Sequence, residues 1–418
     1  MRRVFLLLIP CLAGAQTTPV SLTLEQAEEL LIQRNLIVAS GKAQVEIAEA
    51  ARRIAGLRPN PTLQLGGEQF PVWSNIPGSY PRLFSTNGDA GANPTYTAQV
   101  SQLIERGNKR QLRSEQAGAL SDAARAQVLD TIRQQLLMLR QAFTAALLAK
   151  TSIDLALEVD RDYAETERVN EIRLRGGDIA LVDFERIKAA RLGYRQAIND
   201  ARLGYAQAVR DVQTFVGAAP ASSVAVEGSL LVRPLVRSLP ELKDLALLER
   251  PDLRAAEKAE LASGAGVRLA ESLRKRDISV AMEYQRVGTD STVGAIVSMP
   301  LFVFNNQKDA IAQAAAEQRL ASLQSRQARL QVEAEVEKAY LAVAAARQNL
   351  DLYDSGAVER AFRIRETVQY SYQRGEASLL DLLDAQRSSN QIVTGYNQSK
   401  AAYDSAYWLL VAAVGKTF

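Results

Sequence analysis

The sequence predicts a mainly α-helical protein with a small β part, built as two copies of one plan. Three observations predict it. Two proline-free stretches of about 65 residues each carry an apolar stripe of coiled-coil spacing. Four segments of about ten residues have the length and composition of strands. A glycine-centred motif occurs twice: Gly177-Asp178-Ile179-Ala180-Leu181-Val182-Asp183 matches Gly375-Glu376-Ala377-Ser378-Leu379-Leu380-Asp381.

The register of that motif holds without gaps to the end of each half. Asn199 falls on Asn397, Tyr205 on Tyr403 and Val216-Gly217 on Val414-Gly415. Upstream, Val100-Ser101 matches Val297-Ser298, and Leu57-Arg58 matches Leu273-Arg274. A repeat of about 200 residues is too long for a solenoid unit and suggests duplication of a half-domain. Composition agrees with long helices: 47% of the 418 residues are hydrophobic and only 6% aromatic. The formal charge of +3 includes Arg2 and Arg3, so the remainder carries about +1 and gives no general attraction for nucleic acid.

In chain order, residues 1–15 read as a signal peptide. Arg2 and Arg3 are its basic start, Val4 to Leu12 its apolar core, and Ala13-Gly14-Ala15 its cleavage site. The core is too short for a membrane-spanning helix. Cys11 is the one cysteine; its lipidation is an alternative that Pro10 disfavours, and a mature chain cut at Ala15 has no disulfide framework. Residues 16–217 form the first copy, 218–239 a linker and 240–418 the second copy.

Each copy opens with a helix, Leu24 to about Leu57 or Pro240 to about Arg274. Two strands follow: Thr62–Phe70 and Thr95–Ile104, or Ile278–Val287 and Thr292–Leu301. Long helices are expected over about Lys109–Leu174 and Lys308–Gln373. Each is followed by a glycine turn and a last helix, capped by Gly217 or Gly415. The linker, with Pro220 and Pro234, has room for short strands at Val224–Val226 and Leu230–Val232.

The helical expectation rests on period. Leu129, Ile132, Leu136, Leu139, Phe143 and Ala146 make one stripe, and Val332, Val336, Ala339, Val343, Ala346 and Leu350 another. At 1.5 Å per residue, 65 residues make a rod of about 100 Å. In the strands, Ile278, Val280, Met282 and Tyr284 alternate with Ser279, Ala281, Glu283 and Gln285. Val293, Ala295, Val297 and Met299 alternate with Thr292, Gly294, Ile296 and Ser298. A soluble hairpin with one buried face fits the alternation; so does a tilted membrane strand with one lipid face. Four strands cannot close a barrel, and open edges are not tolerated in lipid. A membrane reading therefore requires copies to share a barrel, twelve strands for three copies. Pro71–Pro94 and Gly288–Ser291 are then loops on the side opposite the helices.

The most specific run is Tyr372-Gln373-Arg374-Gly375-Glu376-Ala377-Ser378-Leu379-Leu380-Asp381-Leu382-Leu383-Asp384-Ala385. It resembles the helical-hairpin tip of the TolC-type outer-membrane efflux family, and the resemblance extends from Leu22 to Gly415. The first half has a weaker copy from Arg175-Gly176-Gly177 to Asp183, without the tyrosine and with Phe184 in place of Leu382. The resemblance implies a homotrimer with a long α-helical coiled-coil barrel and a shared twelve-strand barrel in outer-membrane lipid. It also implies a periplasmic helical part and a passive exit duct, not an enzyme, that works with a periplasmic adaptor protein and an inner-membrane pump. A periplasmic coiled-coil scaffold or adaptor is the alternative from another class.

A second segment bears on substrate. Gln102, Glu105, Gly107, Lys109 and Arg110, within Ser101–Arg110, look like the Gln…Glu-x-Gly-Gly-Lys-Arg segment of the CzcC-like branch, which serves heavy-metal cation pumps. Asn108 stands where that branch has its second glycine. The plainer reading is a polar membrane boundary with Lys109 and Arg110 in solvent. Drug efflux and peptide secretion are the alternatives to metal export.

At the tips, Gly176, Gly177 and Gly375 allow sharp reversals. Asp381 and Asp384 lie three apart on one helix face. With Asp183 they are expected at the periplasmic aperture, where rings of carboxylate favour cations; helix N-terminal charges are the plainer reading. Leu181, Val182, Leu379 and Leu380 are expected at the adaptor-docking tips or, equally, in packing between hairpins. With no histidine and scattered methionines (Met138, Met282, Met299), no metal site and no cofactor are expected. Glu335 and Glu337 read as a solvated helix face, and no phosphate-binding loop or nucleophile elbow is present.

Overall fold

Heptad stripes make helices, period-two segments make strands, and the chain alternates them twice. The computed structural model of the protein describes residues 20–69, 94–219 and 224–417. The leader with Cys11, Phe70 of the expected first strand, residues 71–93 of the expected Pro71–Pro94 loop, and Pro220 lie outside them. The elements are β1 (Val20–Leu22), α1 (Leu24–Arg34), α2 (Leu36–Ala55), β2 (Thr62–Glu68), β3 (Thr95–Ile104), α3 (Lys109–Gly176) and α4 (Leu181–Phe215). Then come β4 (Val224–Val226), α5 (Leu239–Glu249), α6 (Pro251–Ser272), β5 (Ile278–Val287), β6 (Asp290–Ser298), α7 (Lys308–Asp354), α8 (Ala357–Gln373) and α9 (Leu379–Val414).

Three expected helices are each broken in two. Asn35 ends α1 by donating its N–H to Leu31, and its Oδ1 accepts from the N–H groups of Ile37 and Val38, so one residue closes a helix and caps the next. In the second half Pro251 opens α6, and Arg250 before it is extended at φ −62°, ψ 118°, as the steric clash with a following proline demands. Gly356, at φ +81°, separates α7 from α8 in a left-handed turn that only glycine adopts without penalty. The strand expected at Thr292–Leu301 is Asp290–Ser298 instead. Leu230–Val232 is not a strand. Val224–Val226 is one, and pairs in parallel with β1.

Two compact units form, each drawing on both sequence halves. One comprises the described residues within 20–41, 128–250 and 330–417. Its core joins Ala27, Leu31 and Val38 to Leu139, Phe143, Ala146, Val209 and Val212. All six residues of the Val332–Leu350 stripe are buried. In the other stripe Leu139, Phe143 and Ala146 are buried, Ile132 and Leu136 half-buried, and Leu129 is 54% exposed. A straight helix drifts about 20° per heptad from a 3.5-residue repeat, so one end of a long stripe turns outward.

The other unit comprises the described residues within 42–127 and 251–329. Its sheet has the order β2-β3-β5-β6, antiparallel throughout. Helices run on from the strands: α2 leads to β2, β3 to α3, α6 to β5 and β6 to α7. Helix contacts follow the strand order. Arg125 on α3 reaches Glu49 on α2 at 2.7 Å, Arg268 on α6 pairs with Glu115 on α3, and Gly264 on α6 faces Gln318 on α7.

Candidate functional site: a two-faced sheet, its junction and the helical tips

In an antiparallel sheet directly opposed residues point to the same side. One row across all four strands reads Leu63, Val100, Met282, Ala295, and the next Leu65, Ala98, Tyr284, Val293. The intervening rows read Gln64, Gln99, Glu283, Gly294 and Gly66, Thr97, Gln285, Thr292. Over these four central rows the sheet is thus apolar on one face and polar on the other from edge to edge; towards its ends Arg286 falls on the apolar face and Ile296 on the polar one. Among the described residues none covers the apolar face: Leu65 and Val293 are each 72% exposed and Met282 65%. Such a face suits hydrocarbon, since each Å² left in water costs about 25 cal/mol.

The segment from Gln102 to Arg110 makes the junction between β3 and α3. Gln102 donates to the carbonyls of Pro59 and Leu103. Glu105 takes a two-pronged contact from Arg113 at 2.5 and 3.0 Å. Gly107 and Asn108 are both left-handed, at φ +76° and +60°. Asparagine is the residue that best replaces glycine there, which accounts for Asn108 physically. A Cβ on Gly107 would lie 2.9 Å from Lys275 Cδ.

Lys109 corrects the expectation of a solvated side chain. It is buried, and its Nζ donates to Asp277 Oδ2 at 2.8 Å and to the Lys275 carbonyl at 2.7 Å. Asp277 Oδ1 also accepts from the Arg106 N–H at 2.8 Å. Burial raises the Asp277 pKa, but the Lys109 hydrogen bond and the Arg106 N–H outweigh it and hold the carboxyl below its ordinary range. Arg110 is exposed, as expected. Asp277 itself, just ahead of β5, is a participant that the sequence reading missed.

At the tips, Gly177 and Gly375 take φ +81° and +78°. Asp178 and Glu376 donate their N–H groups back to Arg173 and Ser371, closing the ends of α3 and α8. Gly176 is the last residue of α3. Ser378 and Asp381 form a capping box at the start of α9. The Ser378 hydroxyl and N–H both donate to Asp381 Oδ2, at 2.6 and 3.0 Å, and hold that carboxyl below its usual range. Asp384 pairs with Arg387 at 3.2 Å and Asp183 with Arg186 at 3.1 Å, all exposed or half-buried. Leu181, Val182 and Leu380 are exposed and Leu379 half-buried. Tyr372 of the tip motif is buried and donates to Asn170 Oδ1 at 2.5 Å, tying α8 to α3; nothing local in the sequence marks Asn170.

Glu335 and Glu337 are not a merely solvated face. They hold Arg250, which is 1% exposed, and Lys243, each at 2.7 Å. Among the described residues no group of His, Cys, Asp and Glu is arranged to hold a metal ion, and no helix is long and apolar enough to cross a membrane. What remains is a scaffold with a lipid-compatible sheet and long helices.

Known proteins share that scaffold. A profile described as outer membrane efflux protein matches residues 28–218 and 242–416. The cation efflux system protein CusC of Escherichia coli O6:H1 is 25% identical over 383 residues, covering 87% of this chain and 78% of that protein. A crystal structure of CusC superposes with a TM-score of 0.78 at 17% identity, over 97% of this chain and 96% of the other. The CmeC outer membrane channel of Campylobacter jejuni gives 0.78 at 15% identity, over 94% and 85%. The MtrE outer membrane channel of Neisseria gonorrhoeae gives 0.75 at 19%, over 94% and 89%. With matches in both halves and this fold, the chain belongs to the outer membrane efflux protein family and is an outer-membrane channel of the TolC-like type.

Proposed function

We propose that the chain is the exit duct of a tripartite efflux pump for heavy-metal cations. It works as a homotrimer with a periplasmic adaptor and an inner-membrane pump. The sheet, apolar on one face and polar on the other across all four strands, carries the reading. Four strands with free outer edges become a closed twelve-strand barrel only when three copies join. The helices then lie in the periplasm, where Asp381, Asp384 and Asp183 line the aperture. Gly176, Gly177, Leu181, Val182, Gly375, Leu379 and Leu380 form the tips that receive the adaptor. The cation assignment is supported by the likeness to CusC and by the segment from Gln102 to Arg110.

The test has two arms. Deleting the gene should lower tolerance of copper, zinc or cobalt; loss of drug tolerance alone would overturn the metal assignment. In a planar bilayer the protein should show a small cation-selective conductance that rises in the Asp381→Ala/Asp384→Ala variant. Silence from folded, inserted protein would overturn the duct.

A further inference from the structure

At the end where the strands join the helices, the sheet carries charge that the chain does not neutralise. The last pair joining β3 to β5 is Ile104↔Ile278, on the apolar face. Continued by two residues, the same count sets Arg106 opposite Arg276. Two bonds hold the segments together past the ladder: the Arg106 N–H to Asp277 Oδ1 at 2.8 Å, and Lys109 Nζ to the Lys275 carbonyl at 2.7 Å. Directly opposed positions share a side of the sheet, with Cβ atoms about 5 Å apart, and like charges there repel.

The neighbouring carboxylates are already engaged, Glu105 by Arg113 and Asp277 by Lys109. The Arg276 guanidinium lies 5.5 Å from the Phe302 ring, and among the described residues neither Arg276 nor Arg106 is in an ion pair. Arg274 and Lys275, both exposed, add two further cations. Apolar surface adjoins them. β3 reaches α3 through residues 105–108, whereas β6 reaches α7 through the longer segment 299–307. That segment contains Leu301-Phe302-Val303-Phe304, with Leu301 70% and Val303 73% exposed and Phe304 wholly so.

We propose that this rim binds an anionic phospholipid of the periplasmic leaflet. In an outer-membrane channel with periplasmic helices, the helix-joined ends of the strands lie at that leaflet. The lipid phosphodiester sits between Arg106 and Arg276, and the planar guanidinium forks donate to its oxygens. An anion there removes the repulsion between the two side chains. The acyl chains follow Ile104 and Ile278 along the apolar face, and Phe304 lies at the interface level that aromatic rings favour. An anionic headgroup suits the rim better than a zwitterionic one, whose ammonium would meet Arg274 and Lys275. The site belongs to one copy and goes beyond the duct reading, since it needs neither the metal assignment nor the trimer count.

The full chain, purified in detergent and stripped of lipid, is titrated with dioleoyl phosphatidylglycerol and, in parallel, dioleoyl phosphatidylcholine, and bound lipid is counted by native mass spectrometry. Phosphatidylglycerol should bind more tightly. Arg106→Gln and Arg276→Gln should each weaken it about fivefold, and the two together about 30-fold. Arg286→Gln, on the same face at the other end of the sheet, should leave it unchanged. Circular dichroism checks folding, and the single variants decide the matter if the double one does not fold. Unchanged phosphatidylglycerol binding in folded variants, or an equal loss in Arg286→Gln, would overturn the site. Equal affinity for the two lipids would overturn the anionic preference. Displacement of phosphatidylglycerol by millimolar inorganic phosphate would assign the arginines to free phosphate and overturn the lipid.

Discussion

The sharpest consequence of the two-faced sheet is that neighbouring positions should tolerate the same substitution very differently. Met282 lies mid-strand in β5, opposite Val100 and Ala295, and is 65% exposed on the apolar face. Glu283 is the next residue, opposite Gln99 and Gly294 on the polar face. An arginine facing lipid near mid-strand costs about 2–4 kcal/mol, whereas a water-facing position costs little. At about 1.4 kcal/mol per decade, Met282→Arg should reduce the folded, inserted fraction about 30- to 700-fold at equilibrium. Glu283→Arg should stay within a factor of about three. Guanidinium titration of protein folded into liposomes measures both, with outer-membrane fractionation as the check in cells. Equal losses from the two substitutions would refute a lipid face at Met282, since water on both faces of the sheet predicts no contrast.

Two further outcomes follow from the junction and the tip. Lys109→Met should strip Asp277 and the Lys275 carbonyl of their shared donor and cost about 2–4 kcal/mol, below the upper range for a fully buried pair because the Asp277 side chain is 23% exposed. Added to Asp277→Asn it should cost far less than alone; strict additivity in thermal unfolding would show that the pair is not coupled. At the tip, Asp381 has a depressed pKa, so its capping contribution is present above the ordinary carboxylate pKa and is lost as pH falls through the lower folded value. Hydrogen-exchange protection of the Leu382 amide should therefore fall below about pH 4 in the wild type and stay flat in Asp381→Asn; parallel behaviour of the two would remove the carboxylate from the cap.

Much of the fold was legible because its signals are periodic. The absence of proline over Lys109–Leu174 correctly implied one helix, and alternation in Ile278–Val287 identified both faces of a strand. The helix breaks were less visible. Asn35 and Gly356 are single residues inside segments whose apolar period continues past them, and their effect depends on one cap and one left-handed turn. Pro251 was a readable signal, since proline favours the first position of a helix, but the surrounding period masked it. The site was legible only where a motif carried its own geometry. Gly107 and Gly375 announce their turns. The partners of Lys109 and Tyr372 do not announce themselves, because Asp277 lies 168 residues and Asn170 202 residues away and only the folded pairing of the halves brings them in.

That pairing also bears on modularity. The halves meet in the sheet at β3 and β5, joined by ten paired residues, the longest register among the described residues. In the proposed ring this join alternates with the one between copies, so six lateral joins are of one kind, and the chain happens to connect the partners across three of them. Covalent continuity then adds proximity rather than shape. A half-length gene product with one hairpin and one pair of long helices already has the two edges a six-membered ring requires. Fusing two such products frees one tip to keep Tyr372 and Ser378 while the other drifts to Leu174 and Ala180.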